Sequence, residues 1–335
     1  MVKRGDRHNN GLVEKRGGRG TEVVFQSPSL FRPDLTDICA RGLPSDATVT
    51  ARMVSKDDVI TIRSWLSKQT HLPQTIDDGL LRRFVHCCDG SLERTKTALE
   101  LFFCLRADAP EFFKDRDPAM PRVQNVFNLI DLLPLPKVTP EGYRCFLYRL
   151  ADPDPDKFHF VDYVKTFFMV GDTRIRSETE LVAGEVPIFD MTGYTLRHLT
   201  RLPLPALRKY MQYTQEAHPV KLRQIHIINA VPLLDKVLTF IRPFMKSEVA
   251  AMIHVHPVGS DSLYKFVPRE ILPDEYGGIA GPAKEIKERW KKKVEAERDW
   301  FALNEWMADE SKRVGKRNAD LRPPMEGSFR SLSID

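Results

Sequence analysis

The chain has 335 residues, 42% hydrophobic and 29% charged, so it buries a real core and is neither disordered throughout, collagen-like nor stapled by disulfides. Basic side chains number 51 against 46 acidic, a net charge of +5. Residues 1–20 hold Lys3, Arg4, Arg7, Lys15, Arg16 and Arg19 against Asp6 and Glu14, which places most of that excess in a tail and leaves the body near neutral. A nucleic-acid binder would need a basic face on the body itself. Cys39, Cys87, Cys88, Cys104 and Cys145 form no C-x-x-C pair and read as reduced thiols of a cytoplasmic protein. No secretory leader is legible, and uncharged runs such as 249–260 fall far short of the ~20 residues a spanning helix needs. Membrane contact is expected to be transient and peripheral, from the water side.

In chain order, residues 1–20 are expected to be a disordered basic tail and 21–54 a weakly patterned extension. Ser55 and Asp58 form a capping-box pattern, followed by Val59, Ile62, Trp65 and Leu66 on one helical face. His71-Leu72-Pro73 ends that helix. Leu80, Leu81, Phe84 and Val85 mark a second one, Asp89-Gly90-Ser91 is a turn, and Leu92, Leu99, Phe102 and Phe103 mark a third that stops before Pro110. Residues 55–120 thus read as a small all-helical unit. From 121 to 282, four apolar runs (145–150, 186–191, 224–228 and 252–255) alternate with helical segments near 156–182, 203–217 and 231–248. Strands joined by crossovers of that length pair in parallel, giving an α/β layer. A charged helix over 283–313 carries Ile286, Trp290, Val294 and Phe301 as a thin apolar stripe, and 314–335 is expected to be disordered.

An α/β domain invites a search for a nucleotide site, and the residues do not supply one. The first of these strands runs into Ala151-Asp152-Pro153-Asp154-Pro155-Asp156, where a G-x-G-x-x-G turn would offer amides to pyrophosphate. Gly277-Gly278-Ile279-Ala280-Gly281 comes late and reads as turns, and neither a P-loop nor a G-x-S-x-G elbow occurs. His254 and His256 point to one side near a strand end, but packing or hydrogen bonding explains them, and His218 and His226, better than a metal does. The aspartates at 152, 154 and 156 lack the glycine and distal glutamate of a calcium loop and read as a turn. Cys87 and Cys88 read as buried thiols. No acid, base and nucleophile set stands out, so neither enzymatic activity nor a cofactor is expected.

Residues 231–248 are more informative. Asp235, Thr239, Arg242 and Lys246 form a narrow polar stripe, while Val231, Leu233, Leu234, Val237, Leu238, Phe240, Ile241, Phe244 and Met245 fill the rest of the circumference. An ordinary surface helix needs one apolar face of ~100°, and this segment exceeds it. Either the helix is buried on most sides, the commoner explanation, or it turns one apolar side to a cavity and another to lipid, with Pro243 as the point where it ends or kinks. Tyr163, Val164, Phe167, Phe168 and Met169 in 156–182, with Tyr210, Met211 and Tyr213 in 203–217, suit an apolar pocket and a core equally well.

The run Asp57-Asp58…Trp65-Leu66…His71-Leu72-Pro73…Asp77-Asp78…Leu81-Arg82-Arg83-Phe84-Val85 resembles the helical N-terminal module of CRAL-TRIO lipid-transfer proteins, and 106–113 is similar to its end. Ile188-Phe189-Asp190-Met191-Thr192-Gly193-Tyr194 resembles the family's central strand and turn. Ile225-His226-Ile227-Ile228-Asn229 resembles the next strand, and Leu272-Pro273-Asp274-Glu275-Tyr276-Gly277-Gly278 the closing signature. The likeness covers about 55–282 and points to the branch of tocopherol and retinaldehyde carriers.

It implies a helical bundle followed by an α/β lipid-binding domain with a mostly parallel sheet and a mobile gate helix over an apolar pocket. Such a protein is a non-catalytic carrier of one tocopherol-, retinoid- or isoprenoid-like molecule, each CH₂ buried contributing ~0.8 kcal/mol. By motif, the pocket would be lined by Val164, Phe167, Phe168, Phe189, Tyr210, Tyr213 and Ile225, with Leu234, Val237 and Phe240 on the gate side. Lys221, Arg223 and Arg242 match positions that bind phosphoinositide in that branch, each worth ~1 kcal/mol beside acidic lipid; a solvated basic loop is the alternative. Glu248, Ala250 and Met252 depart from the branch, where those positions are basic. Glu185 stands where the branch has an aliphatic pocket residue; it is expected to face solvent, the alternative being a ligand with a hydrogen-bonding group. Competing readings are a phospholipid or phosphoinositide exchanger, and an interaction module with a vestigial pocket whose 283–313 helix docks a partner. An enzyme is the weakest of them. A monomer in solution is expected.

Overall fold

Ser55 opens the first helix, α1 (Lys56–Leu66), through the expected capping box: its Oγ accepts from the Asp58 amide at 3.1 Å, and the Asp58 carboxylate accepts from the Ser55 amide at 3.0 Å. Asp77 caps α2 (Asp78–Cys87) and Ser91 caps α3 (Leu92–Asp108), each oxygen taking a first-turn N–H that the helix itself leaves unpaired. This computed structural model describes residues 54–317 except Val231, so the expectations for 1–53 and 318–335 fall outside the described residues. Ile62, Leu66, Leu81, Phe84, Leu99 and Phe102 bury the facing sides of the three helices. Two short helices with proline in the first turn, α4 (Pro110–Phe113) and α5 (Pro121–Leu129), lead into the sheet.

The sheet has five strands in chain order: β1 (Ile130–Val138), β2 (Tyr143–Leu150), β3 (Gly184–Asp190), β4 (Ile225–Ala230) and β5 (Ile253–Pro257). β2 to β5 run parallel. Their crossovers hold α6 (Phe160–Ser177), then α7 (Leu196–Thr200) and α8 (Leu204–Glu216), then α9 (Leu234–Ile241) and α10 (Ser247–Ala250). The expected mixed helical and α/β architecture, with a mostly parallel sheet, is therefore present. β1 is the strand the sequence reading misses. It contains Pro134 and Pro136, pairs antiparallel with β2 alone, and shifts register between Pro134 and Val138. Proline donates nothing to a ladder, so an edge strand is where it is tolerated.

The helix after the sheet covers that edge. In α11 (Ala283–Ala296), Trp290 Nε1 donates to the Pro134 carbonyl at 3.0 Å and Lys287 pairs with Asp131 at 2.7 Å. The stripe of Ile286, Trp290, Val294 and Phe301 is buried as its spacing predicts. The helix does not run to 313. It breaks at Glu297, resumes as α12 (Arg298–Leu303) and ends on Asn304 in the left-handed region. The chain then lies across the helical module, where Arg313 bonds Glu100 at 2.7 Å and Arg317 bonds Asp108 at 2.6 Å.

The segment 231–248 also differs from a single helix. α9 stops at Ile241, a tight 3₁₀ turn follows at Arg242–Phe244, and α10 restarts at Ser247, with Pro243 at the break. Nor is it buried on most sides: within α9 only Leu234 is buried, while Val237, Leu238, Phe240 and Ile241 keep part of their surface. No helix among the described residues is long and apolar enough to cross a membrane.

Candidate ligand site between the sheet and helix α9

In a parallel pair, residues in register face the same way. Tyr148 pairs with Phe189, Phe189 with Ile227, and Ile225 with Ile253, so these side chains share one face of the sheet. Leu234 of α9 packs on that face with Met191 and Ile227, and Tyr194, Val237, Leu238 and Ile253 gather around this second, smaller core. The residues named from motifs divide into two groups. Val164, Phe168 and Tyr213 are buried in the main core, where Phe168 stacks on Phe113 with centroids 4.8 Å apart. Phe167, Phe189, Tyr210, Ile225, Val237 and Phe240 are half-buried, and Leu234 is covered. Phe167 meets the Tyr210 ring at 5.8 Å and Tyr148 stacks on Phe189 at 5.0 Å. Tyr148, Tyr163, Tyr194 and Tyr210 all keep some surface, yet burial raises each phenol, that of Tyr210 to about 12.

The far end of α9 is tied down by α8. Gln215 Nε2 donates to the Phe244 carbonyl and its Oε1 accepts from the Lys246 amide, both at 2.8 Å, while Lys246 pairs with Glu216 at 3.2 Å. A helix clamped at one end across a proline break has a defined hinge.

Glu185 corrects the expectation of a solvent-facing carboxylate. It is 7% exposed and bonded to Arg174 at 2.6 Å, and the Arg174 guanidinium lies 4.6 Å over the Phe146 ring. Nothing in the spacing joins Arg174 to Glu185; the crossover from α6 to β3 brings them together.

The basic residues have separate surroundings. Lys221 bonds Asp89 of the helical module and is largely covered, whereas Arg223 and Arg242 are exposed and have no ion-pair partner among the described residues. Arg223 donates to the Ala183 carbonyl at 3.2 Å and lies 5.9 Å over the Tyr143 ring.

A buried charge network joins the helical module to α6 and α8. Arg106 grips both carboxylate oxygens of Asp172, Arg116 takes one of them at 2.5 Å, and Arg106 Nε donates to the Tyr213 hydroxyl at 2.8 Å. Burial alone would raise the Asp172 carboxyl, but the two guanidinia hold it below the usual range.

The three motifs of the α/β domain meet on Asp190. Its carboxylate accepts from Thr192, from Asn229 at 2.9 Å and from the Tyr276 hydroxyl at 2.7 Å. In the closing motif a Cβ on Gly278 would stand 1.9 Å from the Leu272 carbonyl oxygen, so only glycine fits there.

On the opposite sheet face, His226 Nδ1 lies 2.9 Å from His256 Nε2, and His256 Nδ1 lies 2.6 Å from Ser262 Oγ, so these nitrogens bond within the cluster. His71, Glu100 and Cys104 come within metal-ligating reach of one another, but Arg313 already supplies the cation there, with Nη2 at 3.1 Å from the Cys104 sulfur. The aspartates at 152–156 form the expected turn, Asp152 and Asp154 each accepting from the amide two residues on while Asp156 pairs with Arg197 and Arg201.

Comparison with known proteins agrees with this geometry. Residues 52–123 match the Pinta-like UBA domain, and residues 131–278 match the CRAL/TRIO domain. An "alpha-tocopherol transfer protein-like" protein of Mus musculus is 27% identical over 225 residues, covering 67% of this chain and 65% of its own; the Homo sapiens form is 26% identical over the same shares. Clavesin-2 of Rattus norvegicus is 25% identical over 208 residues, 62% of this chain and 63% of its own. The chain thus spans just under two thirds of these relatives. The crystal structure of Sfh5 has a TM-score of 0.42 and 14% identity, covering 67% of this chain and 88% of that one. With a helical module before it, a mostly parallel five-stranded sheet and motifs converging on Asp190, residues 131–278 form a CRAL/TRIO domain.

Proposed function

We propose that this protein is a non-catalytic carrier that holds one hydrophobic lipid between the sheet and α9 and exchanges it at membranes by displacing that helix. The observation that carries the reading is the half-covered apolar surface on the sheet face and on the helix that packs over it. Phe189, Ile225 and Ile253 on the sheet, and Val237 and Phe240 on α9, keep surface that an ordinary core would bury. The names of the tocopherol transfer-like relatives point to the same class of cargo. Burial of an isoprenoid or acyl chain supplies the affinity at ~0.8 kcal/mol per CH₂. The carrier works as a monomer in the cytoplasm and meets membranes transiently. The test is native mass spectrometry after incubation with a total lipid extract. One stoichiometric hydrophobic adduct is expected, lost in Phe189→Asp and Val237→Asp; a clean unliganded mass would sink the reading.

Exposed Arg223 and Arg242 favour a second, compatible reading, in which docking uses phosphoinositide head groups. Lys221 contributes less to that surface, because Asp89 already matches its charge.

A further inference from the structure

Three metal-ligating side chains converge where the C-terminal segment crosses the helical module. Glu100 and Cys104 stand one helical turn apart on the same face of α3, and His71 comes from the turn after α1. One ligand atom of each lies within 4.8 Å of the other two. His71 is 4% exposed and Cys104 is fully buried. His71 Nε2 has no hydrogen-bond partner: Glu100 Oε1 stands 3.6 Å away, too far to bond it. A buried ring nitrogen left in this condition is uncommon and calls for a partner.

A cation already lies against this set. Arg313 of the C-terminal segment bonds Glu100 at 2.7 Å, reaches the Cys104 sulfur at 3.1 Å and holds the two oxygens of Glu310 at 2.6 and 2.9 Å. Glu310 also accepts from the Cys104 thiol. Arg313 thus bridges the segment and the module but leaves His71 Nε2 unbonded. A metal ion can take that nitrogen together with the sulfur and the carboxylate oxygens. One imidazole, one thiol and two carboxylates make the mixed, borderline-soft set that suits Zn²⁺ in four-coordination, whereas Ca²⁺ and Mg²⁺ would want six or more oxygens. The exchange is balanced in charge. A guanidinium beside a neutral thiol contributes +1, and so does a divalent ion beside a thiolate, the thiol proton going to solvent.

We infer that His71, Glu100 and Cys104 form a site for one Zn²⁺-class ion, completed by Glu310, and that Arg313 occupies it until the ion displaces it. Either cation ties the C-terminal segment to the helical module, the metal through Glu310.

The test adds Co²⁺ and then Zn²⁺ to the full chain in a phosphine reductant. Co²⁺ should bind with one ion per chain and give a thiolate-to-metal charge-transfer band in the near ultraviolet, which Zn²⁺ then removes. Arg313→Ala takes away the competitor and should tighten Zn²⁺ binding by about tenfold, the effect of one charge-assisted bond. Cys104→Ser should lose the band, and it and His71→Gln should each weaken binding by at least about tenfold, a loss that even the outer partners of a metal site produce. Circular dichroism checks that each variant is folded. Absence of the band in wild type, binding unchanged in Cys104→Ser and His71→Gln, or an Arg313→Ala variant that binds no tighter overturns the assignment. Should a ligand variant fail to fold, the wild-type band and its response to Arg313→Ala decide the question.

Discussion

Replacing Asp172 with asparagine removes the anion that Arg106 and Arg116 share, while nearly preserving the shape of the side chain. Both guanidinia are without solvent contact, and the carboxylate is 1% exposed. Removing one partner of a buried ion pair strands the other charge, at a cost of ~3–5 kcal/mol. A chain of this size shifts ~2–4 °C per kcal/mol, so the melting temperature should fall by ~6–20 °C. The network also predicts an asymmetry. Arg116→Met leaves Arg106 and Asp172 as a matched pair, and burial already disfavours the Arg116 charge, so its loss should cost less than half as much. The pH dependence has a definite sign. A carboxyl held below its unfolded value contributes stability that is present above ~3.9 and lost as pH falls through the folded value. The advantage of wild type over Asp172→Asn should therefore hold from neutrality to about pH 5 and shrink below about pH 4. Calorimetry and urea unfolding of the three proteins across that range measure all of this. A loss under ~1 kcal/mol for Asp172→Asn, or an Arg116→Met variant as unstable as Asp172→Asn, would refute the reasoning.

Gln215→Ala removes both hydrogen bonds that hold the far end of α9, each worth ~1 kcal/mol, and should speed lipid transfer between vesicles in a stopped-flow assay. An unchanged rate would remove Gln215 from the hinge. On phosphoinositide vesicles, Arg223→Ala and Arg242→Ala should each weaken binding by ~5-fold, or ~1 kcal/mol, and Lys221→Ala by less. A dominant effect of Lys221 would reverse that assignment. Asp190→Ala leaves the Tyr276 hydroxyl and the Asn229 amide without their acceptor, and should cost ~1–3 kcal/mol for each group so stranded, read by urea unfolding. A change within ~0.5 kcal/mol, typical of a surface substitution, would show that the motifs do not depend on that carboxylate.

The helices of the N-terminal module were legible because their signals are local. Ser55 and Asp58, or Asp77 and Leu80, lie within one turn of each other, and a cap is complete once that turn forms. Four strands stood out as apolar runs, and Pro243 marked the end of α9. β1 was hidden by its prolines, whose tolerance depends on an edge position that only strand order defines. The motif residues of the α/β domain could be read as separate pieces, but their meeting on Asp190 could not. Tertiary structure alone decided the fate of the charges. Glu185 looked like a solvent residue because a carboxylate is costly to bury, and Arg174, placed beside it by the crossover, changes that balance. Lys221 looked free until the helical module presented Asp89. Apolar periodicity and caps are properties of a few adjacent residues, whereas the pairing of a buried charge depends on partners far along the chain that meet only when the sheet and its covering helices assemble.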